Sequence, residues 1–193
     1  MSRSKRTEVL AAAERLFYTR GVASTGVDLV AREAGVSKAT LYHHFPSKDA
    51  LLTAYVDHIE ARWRERLTDR LAALNDPWDR LAAYTTAYID GGPSVRGLGQ
   101  RGCGQQNLAS ELPDDHPALA VIVAAKRRTE EDVAGLLREL GNPHPEALAE
   151  AIVTLLEGGC IRSGMQRTTI DLAPVLAAVR VLALGSGPPG ATH

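Results

Sequence analysis

An all-α protein is predicted, on three observations. Apolar residues recur with helical period along nearly the whole chain, and no convincing alternating strand is found. The breaks between periodic segments carry glycine, proline and hydroxyl residues in the order that stops one helix and starts the next. Of the 193 residues, 45% are hydrophobic, enough to bury a core and too many for a disordered chain.

Val9, Ala13, Leu16 and Phe17 fall at helical spacing and place one apolar stripe on a first helix that ends at Gly21. Thr25 offers a hydroxyl cap to a short second helix whose Val27, Val30, Ala31 and Ala34 face inward, and Gly35 supplies the turn. Ser37 caps a third helix. Its Leu41 and Phe45, four residues apart, share the buried face and leave the residues between them to point outward or sideways. Pro46 stops that helix, and Ser47 begins a fourth, with Leu51, Leu52, Tyr55, Ile59 and Trp63 on one side, expected to run to about Leu74. At Asn75-Asp76-Pro77 the pattern breaks, with Asp76 as cap and Pro77 in the first turn of a helix through Leu81, Tyr84 and Tyr88.

Residues 91–104, GGPSVRGLGQRGCG, form the one long loop-like segment. A helical pattern resumes at Gln105 to Leu112, stops at Pro113 and restarts beyond Pro117 up to Leu140. Gly141-Asn142-Pro143 ends it, and Glu146 to Gly158 or slightly beyond forms another. The last helix begins near Leu172 and finishes before GSGPPG, which opens a tail read as disordered over 187–193.

The formal net charge of −1 argues against a nucleic-acid partner, but its distribution does not. Residues 1–50 hold eight Lys/Arg against five Asp/Glu, so a basic end is joined to an acidic body. No leader pattern opens MSRSKRTEVL, and the apolar run from Leu172 to Leu184 is interrupted by Arg180 and too short to span a bilayer. A soluble, cytoplasmic protein with no membrane association is expected. Cys103 and Cys160 fit neither a disulfide framework nor a CxxC metal pattern, so free thiols are expected.

The most informative stretch is AGVSKATLYHHFPSK, residues 34–48. An Ala-Gly-Val turn joins two short helices, and the second presents Lys38, Ala39 and Thr40 in its first turn, where a recognition helix meets base edges. Tyr42 and His43 project one turn later; an aromatic ring can contact a thymine methyl while its hydroxyl reaches a phosphate. Lys48 and the amides near Thr25 can hold the flanking backbone.

The stretches AERLFYTRG, TGVDLVAREAGVS and KATLYHHFPSKDAL resemble the DNA-binding domain of the TetR (TetR/AcrR-type) family of transcriptional regulators. That resemblance covers roughly the first 51 residues. It implies a three-helix helix-turn-helix DNA-binding domain over 1–50 and a helical ligand-binding and dimerisation domain over 51–186. It further implies a homodimer that represses transcription and releases double-stranded operator DNA when a small-molecule effector binds. Carried over by position, Thr25 contacts phosphate, Lys38, Ala39, Thr40, Tyr42, His43 and His44 form the recognition surface, and Lys48 lies on the DNA backbone.

Gly-Cys before QQNLASEL also resembles a recurrent feature of some C-terminal domains in this family, which places Cys103, Gln106 and Asn107 near the ligand pocket; helix capping and core packing explain them equally well. Trp63, Tyr84 and Tyr88 suit the core, and a cavity between these helices would need such residues to line it. A thiol near a helix N-terminus is a candidate for redox or electrophile sensing. The helices near 145–163 and 172–185 are expected to form the dimer interface through Ala151, Leu155, Val175, Val179 and Leu182.

Other constellations lead nowhere. Adjacent His43 and His44 point about 100° apart on a helix and do not chelate one ion easily. Gly97, Gly99 and Gly102 spell GxGxxG, but no strand precedes them. Asp114, Asp115 and His116 lie between two prolines, where a capping turn explains them. No local spacing suits nucleophilic catalysis, and no enzyme activity, metal or cofactor is expected.

Overall fold

The computed structural model describes residues 4–90, 101–168 and 171–185, and every regular element among them is an α-helix. The Gly97–Gly99 part of the glycine motif and the 187–193 tail lie outside the described residues.

Helix α1 (Lys5–Arg20) starts at Ser4, whose hydroxyl accepts the Thr7 N–H, and stops at Gly21, where φ is 81°. Helices α2 (Val27–Glu33) and α3 (Lys38–His44) follow, joined through Gly35 at φ 64°. The α2 cap differs from expectation: Gly26 holds the N-cap position with no side-chain bond, because Thr25 is turned inward. Ser37 caps α3 as the sequence indicates, accepting the Thr40 N–H at 3.0 Å.

Helix α4 (Lys48–Leu71) is capped by Ser47 and is about 36 Å long at the usual helical rise. Its first half buries Leu51, Leu52, Tyr55 and Val56 in one core with Val9, Leu16 and Phe17 of α1, Val30 of α2 and Leu41 of α3. Its second half places Leu67, with Trp63 and Leu71 packed alongside, in another. That second core is completed by α5 (Pro77–Asp90), α7 (Pro117–Glu139), α8 (Pro145–Gln166) and α9 (Ala173–Leu184). The first core crosses position 50 twice over, since Leu108 of α6 (Gly104–Ala109) and Ala118 and Ile122 of α7 are buried in it.

Three boundaries differ from the sequence reading, the first being α4, which ends at Leu71 rather than near Leu74. Helix α6 ends at Ala109, short of Leu112. Helix α8 runs on past Gly158 to Gln166, because Cys160 and Ser163 continue the buried stripe of Ile152 and Leu156, and this burial outweighs the poor helix propensity of Gly158-Gly159. Val179 is fully buried inside the protomer and is therefore not on an interface. Leu182 of the expected set is on the outward face of α9, together with Val181 and Leu184, and Ile161 and Met165 are exposed on α8.

Candidate DNA-facing surface and internal cavity

Helix α3 is held by two anchors, Leu41 (0% exposed) and Phe45 just beyond its end (2%). With that side fixed, Lys38, Ala39, Tyr42 and His43 are exposed, at the i, i+1, i+4 and i+5 spacing of one helix face. Thr40 is half-buried and shares a 2.8 Å hydrogen bond with the Ser37 hydroxyl. His44 is half-buried as well, edge-on to His43 at 5.2 Å. The Lys38 ammonium pairs with Asp28 of α2 at 2.8 Å, and that hydrogen bond raises its pKa above the usual lysine value. Both partners are more than half exposed, so the pair contributes little to stability and is free to exchange for a phosphate.

One expected backbone contact is corrected, and Lys48 has a further role. Thr25 is 0% exposed, with its hydroxyl donating to the Leu16 carbonyl at 3.5 Å, so it cannot present that hydroxyl to a phosphate in this conformation. The Lys48 ammonium donates to the Val22 carbonyl at 2.7 Å and braces the turn between α1 and α2. Sequence reasoning missed the residue on the other side of that turn. The Glu111 carboxylate, just past α6, accepts the Val22 N–H at 2.7 Å and the Ala23 N–H at 3.1 Å. A Cβ at Gly21 would stand 2.6 Å from the same carboxylate, so the close approach depends on glycine as well as on its positive φ. Nearby, His116 caps α7 through its Nδ1, which accepts the Ala118 N–H, and its Nε2 lies 3.4 Å from Asp49 of α4. The Asp114-Asp115-His116 stretch is thus a capping turn.

A cavity of about 80 Å³ opens between α1, α4, α5, α6, α7 and α8. That is room for roughly six water molecules, or a ligand of similar heavy-atom count. Tyr18 and Glu14 of α1 form one wall, Tyr55, Ile59 and Trp63 of α4 another, and Tyr88, Gln105, Lys126, Thr129 and Cys160 close it, with Cys103 at the head of α6. Of the expected pocket residues, Trp63, Tyr88 and Cys103 are in this lining.

The others are not. Tyr84 stacks edge-on against Trp63 at 5.6 Å and sends its hydroxyl to Asp132, in an open groove on the other side of that ring. Asn107 donates to the Arg101 carbonyl at 2.8 Å, which ties down the chain before α6. Gln106 sits one residue out of register, and Gln105 faces the cavity in its place, donating to Glu60 at 3.1 Å.

Lys126 is a densely paired polar group of the cavity. The Lys126 ammonium lies 2.6 Å from the Tyr88 hydroxyl, 3.1 Å from Glu157 and 3.8 Å from the Cys103 sulfur. Burial opposes its charge, but these partners outweigh burial and hold its pKa above the usual lysine value. Burial raises the phenols of Tyr55 and Tyr88 and pushes the Cys160 thiol up to about 12. Glu14, 4% exposed, pairs with Arg62 at 2.7 Å. Among the described residues no three His, Cys, Asp or Glu side chains are grouped to hold a metal ion, and no helix is long and apolar enough to cross a membrane.

Comparison with known proteins places this geometry in context. Residues 9–55 match the family model described as bacterial regulatory proteins, tetR family. The chain is 41% identical over 91 residues to an uncharacterized HTH-type transcriptional regulator of Mycobacterium tuberculosis, a match covering 45% of each chain and so under half the length of that relative. It is 33% identical over 159 residues to the transcriptional regulator AcuR of Cereibacter sphaeroides, covering 76% of this chain and 70% of AcuR. The crystal structure of a TetR-family transcriptional regulator from Streptomyces coelicolor superposes with a TM-score of 0.78 at 28% identity, over 94% of this chain and 93% of that one.

Proposed function

The chain belongs to the TetR family of transcriptional regulators, and from that premise we propose that it is a ligand-responsive, sequence-specific repressor that leaves operator DNA when a small molecule occupies the cavity. The observation that carries the DNA half is the exposed face of α3, where Lys38, Ala39, Tyr42 and His43 stand clear of a core locked by Leu41 and Phe45. Lys38 supplies positive charge and donors, His43 an imidazole that can donate or accept, Ala39 permits close approach, and Tyr42 offers a ring and a hydroxyl, a set suited to base edges and phosphates in a major groove. Thr40, His44 and Lys48 act from behind this face, orienting the helix and its flanking turn.

One such domain makes few phosphate contacts, so the working species is a homodimer that engages two half-sites. The exposed apolar side chains of α8 and α9, with Met165 78% exposed and Val181 54%, support their pairing with a second copy. Signal transfer uses two connections between cavity and DNA end. Helix α4 runs through both cores, and α6 starts at the cavity with Cys103 and leads to the Glu111 carboxylate on the α1–α2 turn. An effector that prefers the geometry incompatible with DNA draws both elements with it.

Titrating purified protein onto fragments of its own genome tests the reading. Affinity for the bound fragment should fall steeply as salt rises, and the protein should sediment as a dimer. Salt-independent binding, or a monomer that binds as tightly, would contradict it.

A further inference from the structure

Both cysteines of the chain line the same cavity, Cys103 on the polypeptide that enters α6 and Cys160 on α8. Cys103 is partly exposed at the N-cap of α6, makes no side-chain capping bond, and has the Lys126 ammonium 3.8 Å from its sulfur. Cys160 is buried on α8, its thiol donating to the Tyr88 carbonyl at 3.6 Å. The backbone leading into Cys103 lies directly on α8 beside Cys160. A Cβ on Gly102 would stand 2.7 Å from the Cys160 carbonyl oxygen, and a Cβ on Gly164 2.7 Å from the Arg101 carbonyl carbon. Tyr18 holds that backbone in place, accepting the Arg101 N–H at 2.5 Å and donating to the Gly102 carbonyl at 3.3 Å.

We propose that Cys103 and Cys160 are a peroxide-reactive pair that closes into a reversible intramolecular disulfide across the cavity. The two thiols are unequal in a way that orders the steps. Cys103 is partly exposed, and negative charge forming on its sulfur meets the Lys126 ammonium; Cys160 is enclosed and keeps its proton. In the first step the Cys103 thiolate attacks one oxygen of a small hydroperoxide. An S–O bond forms as the O–O bond breaks, sulfur is oxidised to the sulfenic acid, and the departing hydroxide takes up the proton that Cys103 gave away. In the second the Cys160 sulfur attacks the sulfenic sulfur, the S–S bond forms as the S–O bond breaks, and water leaves with the Cys160 proton. Two thiols and one hydrogen peroxide thus become one disulfide and two waters. A thiol reductant reverses the change, and in a reducing compartment the open form is the resting one.

The bond itself rests only on the placement of these side chains. Its consequence rests on the function proposed above: fastening the head of α6 to α8 would displace α6 along its length, and Glu111 beyond its far end holds the Val22 and Ala23 amides of the DNA end.

The test titrates the reduced full-length protein with hydrogen peroxide, counting free thiols by alkylation and mapping non-reduced peptides by mass spectrometry. Both thiols should disappear together at one equivalent of peroxide. A Cys103–Cys160 peptide pair should appear at monomer mobility on a denaturing non-reducing gel, and dithiothreitol should reverse both changes. Cys160→Ser should stop at a Cys103 sulfenic acid that a carbon nucleophile such as dimedone traps, and Cys103→Ser should leave Cys160 reduced. A wild type in which Cys160 stays free while Cys103 is over-oxidised, or in which the bond links two copies, overturns the proposal. So does equally fast oxidation of Cys160 in Cys103→Ser. Separately, oxidation should change operator affinity at least about tenfold, a typical allosteric coupling, in the wild type and not in Cys160→Ser. A disulfide that forms without that change removes the regulatory consequence and leaves the DNA-binding reading intact.

Discussion

The DNA-facing end and the cavity are built in opposite ways. The exposed α3 face comes from residues 38 to 43, contiguous in sequence and aimed by two local anchors, Leu41 and Phe45. The cavity takes one to a few residues from each of six helices, reaching from Glu14 to Cys160, and exists only when those helices are docked. A recognition surface of the first kind tolerates substitution without cost to the fold. A site of the second kind cannot be altered at its walls without disturbing the packing that creates it.

The largest effect that would separate the two is expected at Gly164. The Arg101–Gly102 backbone crosses α8 there, and an added Cβ meets three backbone atoms at 2.7–2.8 Å. Gly164→Ala should cost about 2–3 kcal/mol of stability by overpacking, read as a lower thermal midpoint. An unchanged midpoint would mean that the chain entering α6 packs on α8, beside the cavity, more loosely than drawn. Next comes the converse case, Tyr42→Ala on the exposed face. Operator affinity should drop by about 1–3 kcal/mol while stability stays within about 0.5 kcal/mol of the parent. A comparable loss of stability would break the contrast between the two regions.

Glu111 lies between them and should behave as a hybrid. Glu111→Gln keeps the side-chain shape but loses the charge that accepts two backbone N–H groups, and should lower stability by about 1 kcal/mol. It should also weaken the coupling between cavity and DNA end, which a stability change alone would not do.

The smallest effect is in alkaline solution. Burial raises the Cys160 thiol from the ordinary 9.0 to about 12, so the folded protein retains a proton that the unfolded chain releases. The resulting stability is complete below pH 9 and is lost as pH rises from there toward 12. Cys160→Ala should flatten the decline over pH 9 to 10, below the range where the buried tyrosines begin to contribute. An identical slope in urea midpoints across that interval would show that Cys160 is not so enclosed.

What could be read in advance follows the same division. The Ser37 cap, the Leu41–Phe45 spacing and the Gly21 stop are local signals, and the structure has all three. Thr25 is read on the right segment but with the wrong aim, and the Lys48 bond to the Val22 carbonyl is not legible in the spacing. Whether a side chain at a helix end faces solvent or the preceding turn is decided by Leu16 and Val22, which spacing does not reveal. On α6 an error of one position exchanges Gln106 for Gln105, because neighbouring helical residues point about 100° apart. Lys126, Glu14 and Glu111 were invisible for a deeper reason: each is an ordinary charge on an amphipathic helix or turn until distant elements close over it. The persistence of α8 beyond Gly158 is likewise a tertiary decision, made by burial of Cys160 and Ser163.

The α3 face is tested most directly by selecting genomic DNA fragments with purified wild-type protein and with a variant carrying Lys38→Ala, Tyr42→Ala and His43→Ala together. The wild type should enrich a palindromic site with half-sites about one helical turn or slightly more apart, and the triple variant, equally stable, should enrich none. Selection of the same palindrome by both proteins, or of no palindrome by either, would contradict the assignment of that face to DNA.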